Sequence, residues 1–198
     1  SVVSIGTYLF DAGASIAELF NERTKAILVE SPGSLTFEVQ DIPAIAAAAN
    51  ARNIVVLADN SWATPLYLKP MTMGVDIVIH AGTKMFIGHS DAMFGTISAN
   101  ERHWPSLYRT HRQMGICASP DDAFLAARGM RTLAIRMKEH AARALEIATW
   151  LEQQPMVQAV FHPALPSHPD HAIWKRDFTG SGSLFSALFE PAPREAVA

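Results

Sequence analysis

Cysteine is nearly missing from this sequence: Cys117 stands alone, so no internal disulfide can form and a reducing compartment suits the chain. An excess of one charge is missing too. Sixteen basic against nineteen acidic residues leave a net charge of −3, without the electrostatic footprint of a nucleic-acid binder. The densest basic cluster, Arg128 to Arg143, lies in a helical stretch and reads as a solvated face. No apolar run reaches the roughly 18 residues of a membrane-spanning helix, and the N-terminal residues lack the regions of a signal peptide. The expectation is a soluble, cytoplasmic protein with no membrane or nucleic-acid partner. No glycine-rich fingerprint follows any apparent strand, which weakens a nucleotide-binding reading.

What is present is an ordinary globular composition, 49% hydrophobic and 18% charged over 198 residues, enough for one sizeable core and the start of a second. The chain opens at Ser1 without a methionine and closes at Ala198 after a strand-like run, so it reads as a piece of something longer. Lys25 to Glu30 is a short apolar run ended by Ser-Pro-Gly, the pattern of a buried strand closed by a turn. Asp41 can cap a helix with Pro43 in its first turn, and the alanine-rich stretch to Arg52 favours helix. Asn53 to Asp59 is a second buried strand, which completes a βαβ crossover and predicts a parallel sheet. A third strand, Asp76 to His80, follows. Helices are expected over Glu101 to Ile116 and from Ser119-Pro120 to about Gln154, with a break near Gly129. Asp121 and Asp122 then sit in a first helical turn. Strands are expected over Met156 to Phe161 and Ser183 to Phe189, separated by a proline-broken loop from His162 to His171. A domain boundary is expected near Gly129 to Thr132.

In open α/β sheets, ligands bind beyond the carboxyl ends of the strands. Glu30 to Ser34, Asp59 to Ser61 and Ala81 to Lys84 all lie there. Lys84, straight after a buried strand, is the most telling residue, because desolvation or a nearby cation frees a lysine amine to form a Schiff base. A carbonyl partner that suits such an amine and the strand-end acid Asp59 is pyridoxal phosphate (PLP). From position alone each has an ordinary reading, Lys84 as a surface lysine and Asp59 as a turn cap.

The run Asp76-Ile-Val-Ile-His-Ala-Gly-Thr-Lys84, continued by Phe86 and Gly88-His-Ser90, narrows the choice. It closely resembles the lysine signature of the PLP-dependent enzymes of cysteine and methionine metabolism. Further blocks recur in the same order in the bacterial cystathionine beta-lyase branch: Glu30-Ser-Pro-Gly-Ser-Leu-Thr36, Ala58-Asp-Asn-Ser-Trp-Ala63, Gly88-His-Ser-Asp-Ala-Met93, Arg128-Gly-Met-Arg-Thr-Leu133, and His162-Pro-Ala-Leu-Pro166 with Trp174-Lys-Arg-Asp-Phe-Thr-Gly180. Pro-Gly-Ser after Glu-Ser, and a tryptophan after Asp-Asn-Ser, resemble the lyase branch over the gamma-lyase and gamma-synthase branch.

The resemblance implies an α/β protein of the aspartate aminotransferase-like fold, fold type I, with a mostly parallel sheet and helices on both faces. It assigns residues 1–130 to the PLP-binding large domain and 131–198 to the start of a small α+β C-terminal domain. Lys84 would form the Schiff base with PLP and remove the α-proton. Asp59 would pair with the pyridine nitrogen, Thr83 would offer its hydroxyl and backbone N–H to the phosphate, and Ser61 would lie against the ring. The implied reaction is α,β-elimination of a small amino-acid substrate, cystathionine or a related S-substituted cysteine, to a thiol, pyruvate and ammonia. Gamma-elimination, gamma-replacement, or a cofactor-free remnant with only a structural role remain the alternatives. The family pattern adds a homo-oligomer, a dimer of dimers, with a tyrosine and an arginine reaching in from a neighbouring subunit. It places the phosphate loop and ring-stacking tyrosine upstream and the carboxylate-binding arginine downstream, so activity needs residues outside this segment.

The chain departs from the pattern at Ala81, where relatives carry a phosphate-binding serine, at Met85, which replaces an aromatic, and at Ser34, which replaces an asparagine. His80 and His89 are expected in hydrogen-bonded structural roles. His162, His168 and His171 lack the spacing and partners of a metal site. Met71, Met73 and Met114 read as core fillers.

Overall fold

Alternating apolar runs separated by turn residues build one sheet, along which the computed structural model describes residues 2–5 and 16–191. Strands β1 (Val2–Ile5), β2 (Ala26–Glu30), β3 (Val55–Asp59) and β4 (Ile77–His80) lie side by side in parallel, and β5 (Thr96–Ala99) closes the order antiparallel to β4. Ile27, Val29, Val56, Ala58 and Val78 are buried on one face, and their neighbours along each strand are half-buried, as expected for parallel strands without a fully wet side. Helix α1 (Ile42–Asn50) starts where the sequence predicts. The Asp41 carboxylate accepts a hydrogen bond from Ala44 N at 3.1 Å, and Ile42, Ile45, Ala46 and Ala49 form its buried stripe. Pairing of Glu30 with Asp59, and of Asp59 with Ile79, brings the carboxyl ends of three strands level.

Asp76 stabilises the far end of this sheet. It is buried, and its carboxylate accepts from Val56 N at 2.9 Å and from Asn100 Nδ2 at 2.8 Å, so β3, β4 and the exit of β5 share one fully bonded acid. Strand β5 was not expected from the sequence. Its burial runs intermediate, exposed, exposed, intermediate, without the alternation that marks a half-buried strand.

Short helix α2 (Thr64–Tyr67) follows β3, and beyond β5 come α3 (Trp104–Met114), α4 (Pro120–Met130) and α5 (Leu133–Leu151). Ser119 caps α4 by accepting from Asp122 N at 3.0 Å, with Asp121 and Asp122 in the first turn. The break near Gly129 falls at Arg131 and Thr132, between α4 and α5. Strands β6 (Val157–Phe161) and β7 (Ser186–Phe189) pair antiparallel. Between them, the stretch from His171 folds as α6 (His171–Asp177). Arg176 on α6 grips Asp41 through two nitrogens at 2.8 and 3.1 Å, and Phe178 packs edge-on against Trp62 at 6.0 Å, joining the second half to the core of the first. Two of the methionines expected in the core are exposed, Met71 and Met114, while Met73 packs at the core's edge.

The three histidines of the 162–171 loop bond to backbone. His162 Nδ1 accepts from Ala164 N, His168 Nδ1 accepts from Asp170 N, and His171 Nδ1 meets Pro163 O. Burial pushes the His162 imidazole down from 6.5 to about 4, and burial lowers His168 as well. Unfolded chains therefore take up protons at pH values where the folded chain does not. Stability is full above the unfolded value and falls as pH drops through the window from 6.5 to about 4, with His162 alone worth about 3 kcal/mol across it. A urea midpoint that fails to drop between pH 7 and about 4.5 would remove this account.

Candidate active site

The three strand ends carry the chemistry, and the turn after β4 carries most of it. Lys84 N donates to Ala81 O, Ile87 N to Gly82 O, and Gly88 N to Lys84 O, all at 2.9 to 3.0 Å, so residues 81–88 wind into a compact, internally bonded turn. Ala81 N donates to Ser61 Oγ at 2.6 Å, and Ser61 N donates to Asp59 Oδ1 at 2.8 Å. The end of β3 and the lysine turn are thus tied by a short hydrogen-bonded chain running from Asp59 through Ser61 to Ala81.

Asp59, Ser61 and Lys84 line one cavity of about 240 Å³ with Ser34, Trp62 and Phe185 among its walls. Lys84 also lines a second, wider cavity of about 690 Å³ with Arg136 and His140. Two expectations need amendment. Lys84 is exposed where the two cavities meet, not buried behind its strand. Thr83 N donates to Phe94 O, and its hydroxyl lies 3.1 Å from the same oxygen while accepting from Phe94 N, so the groups read as phosphate ligands are bonded to Phe94 in this structure.

His80 corrects a third expectation. It is buried, both ring nitrogens lack hydrogen-bond partners among the described residues, and it packs on Phe86 at 5.0 Å. Burial lowers its pKa by excluding water from the charged form, with the Asp59 charge opposing. His89 behaves as expected, with Nδ1 on Ile87 O at 2.7 Å.

Leu184, Phe185 and Ser186 wall the first cavity and were not anticipated. Trp62 Nε1 donates to Leu184 O at 2.8 Å across 122 residues of sequence, which brings the segment before β7 over the strand ends.

The residues present suit pyridoxal phosphate. A dry cavity of about 150 Å³ accepts benzene, so 240 Å³ admits a substituted six-membered ring. Asp59 has no cationic partner among the described residues and faces the same space as an amine, the donor set that a pyridine nitrogen and an aldehyde require. Parallel strands presenting a lysine and an acid to one cavity at their carboxyl ends make this an α/β protein with a cofactor-sized site, and its superposition on solved PLP-family enzymes places it in fold type I. The sequence profile described as Cys/Met metabolism PLP-dependent enzyme matches residues 2–196, and the chain belongs to that family.

Among curated relatives, the cystathionine beta-lyase of Salmonella typhimurium is 44% identical over 198 residues, covering 98% of this chain and 50% of the relative. The L-alanine/L-glutamate racemase of Wolbachia pipientis is 42% identical over 181 residues, covering 91% of this chain and 45% of the relative. Among solved structures, cystathionine gamma-lyase from Lactobacillus plantarum complexed with L-serine superposes with a TM-score of 0.86 at 33% identity, covering 89% of this chain and 46% of that one. The chain spans about half the length of the curated relatives it matches. Among the described residues, no helix is long and apolar enough to cross a membrane.

Proposed function

We propose that the protein to which this chain belongs is a carbon–sulfur lyase that eliminates the β-substituent of cystathionine or a related S-substituted cysteine. One observation carries the reading: Lys84 and Asp59 line the same cavity at the carboxyl ends of β3 and β4. In the overall balance, one Cβ–S bond breaks and one water is consumed, giving a thiol, pyruvate and ammonia. Pyridoxal phosphate, when bound, supplies an electron sink for the negative charge left at the substrate Cα. Lys84 Nζ would hold the cofactor, and its free amine would take the Cα proton. The Asp59 carboxylate would hold the positive charge at the ring nitrogen, and Ser61, whose Oγ accepts from Ala81 N of the lysine turn, would lie against the ring. The resemblance to lyases at 44% identity supports β-elimination, and the same reading makes the protein a cytoplasmic homo-oligomer, with the chain dividing at residue 130 into cofactor domain and small domain.

The test is the product formed by the whole protein with cystathionine. Pyruvate supports the reading; 2-oxobutyrate, a new thioether or a racemised amino acid would overturn it. Asp59→Asn keeps an oxygen for Ser61 N yet removes the charge that holds the protonated ring. Turnover is expected to fall by about 10²- to 10³-fold with folding unchanged. Unaltered turnover in that variant would remove Asp59 from the mechanism.

A further inference from the structure

The turn that carries Lys84 is held from both sides, and the sequence signature accounts for only one of them. On one side Thr83 locks to Phe94 through its N–H and hydroxyl. On the other stands Arg136, one turn into α5. Its Nη2 donates to Met85 O at 2.9 Å and to Gly129 O at 2.8 Å, and its Nε donates to Thr132 Oγ1 at 3.0 Å. One guanidinium therefore bonds the residue after Lys84 to the last turn of α4 and to the start of α5. No carboxylate pairs with it among the described residues, and Nη1 is buried without a partner.

The glycines around it show how closely it is fitted. A Cβ at Gly88, whose φ is +72°, would lie 2.2 Å from Arg136 Nη1. Met85 and Phe86 pack with Leu133 and Met137, so the apolar side of the turn rests on α5 as well. A fork of fixed planar donors suits this task, because it bonds carbonyls on separate segments at once and stays charged.

We infer that Arg136 is a positioning residue for Lys84: it fixes the backbone at Met85 against α5, as Thr83 fixes the other side against Phe94, and thereby aims the amine. The inference rests on the reading of Lys84 as the cofactor lysine, and its test separates the two. The probes are hydrogen exchange at the Ile87 and Gly88 amides in cofactor-free protein, and borohydride-trapped pyridoxal phosphate at Lys84 as a function of pH.

Arg136→Met is expected to speed exchange at both amides and to slow labelling of Lys84 by about 10- to 100-fold, the upper value being what a misplacement of about 1 Å can cost. Arg136→Lys, which keeps a charged donor within the same space, is expected to recover most of the labelling, and Gly88→Ala to mimic the loss by displacing the guanidinium. Should Arg136→Met not fold, the Gly88→Ala and Arg136→Lys pair decides alone. Labelling of Arg136→Met at the native rate and with the native pH profile, whatever its melting temperature, overturns the inference. If the unaltered protein takes no label at Lys84, the reading of that lysine fails, while native exchange at Ile87 and Gly88 in Arg136→Met would overturn the clamp independently.

Discussion

Lys84→Ala is expected to abolish trapping of pyridoxal phosphate by borohydride and to lower turnover of the whole protein by about 10³-fold or more, since covalent attachment and general-base catalysis are lost together. The fold should not register the change. The bonds that shape the turn, Lys84 N to Ala81 O and Gly88 N to Lys84 O, belong to the backbone, and the side chain is exposed between two cavities. Stability should stay within about 0.5 kcal/mol of the unaltered chain, as for other exposed substitutions. Mass spectrometry of the reduced adduct locates the label, and a urea titration checks the fold. Persistent labelling at another lysine, with turnover retained, would move the active amine elsewhere.

Gly129→Ala is expected to have the largest effect on stability. Within a helix alanine is normally favoured over glycine by up to about 1 kcal/mol, and less in a last turn such as that of Gly129. Here an added Cβ would stand 2.2 Å from Phe86 O and 2.4 Å from Ile87 O. Both are backbone atoms of the lysine turn, which cannot rotate away as a side chain would. The clash outweighs the propensity, and the net loss should be about 2 kcal/mol or more. Gly115→Ala is the control. It has nothing within 4 Å and a φ of +63°, so only the left-handed backbone strain of about 1 kcal/mol applies. Equal urea midpoints for the two variants would mean that α4 does not press on the turn as described.

Much of this was visible in the order of residues. The short apolar runs of β2, β3 and β4 and the Asp41-x-Pro43 start of α1 are local patterns, and each element formed within two residues of its expected bounds. The shared position of Lys84 and Asp59 at one cavity is legible for the same reason, because the carboxyl ends of neighbouring parallel strands lie level. Thr83 was read as a phosphate ligand, yet its groups bond Phe94, eleven residues on, a pairing that depends on how β5 enters the sheet. His80 is expected to be hydrogen-bonded because imidazoles usually are, and only the packing of the folded chain shows its ring against Phe86 without a hydrogen-bond partner among the described residues.

By itself the sequence determined the parallel strands and the helix between β2 and β3, and it placed Asp59 and Lys84 at neighbouring strand ends, because burial writes a period into the neighbours of each residue. Tertiary structure alone decided the rest. The Asp170 carboxylate accepting from Val39 N, 131 residues away, the Leu184 to Ser186 wall of the cavity, and the Arg136 bond to Met85 join segments with no shared pattern. Such contacts are chosen by the shapes that meet once the elements pack, and no local periodicity encodes them.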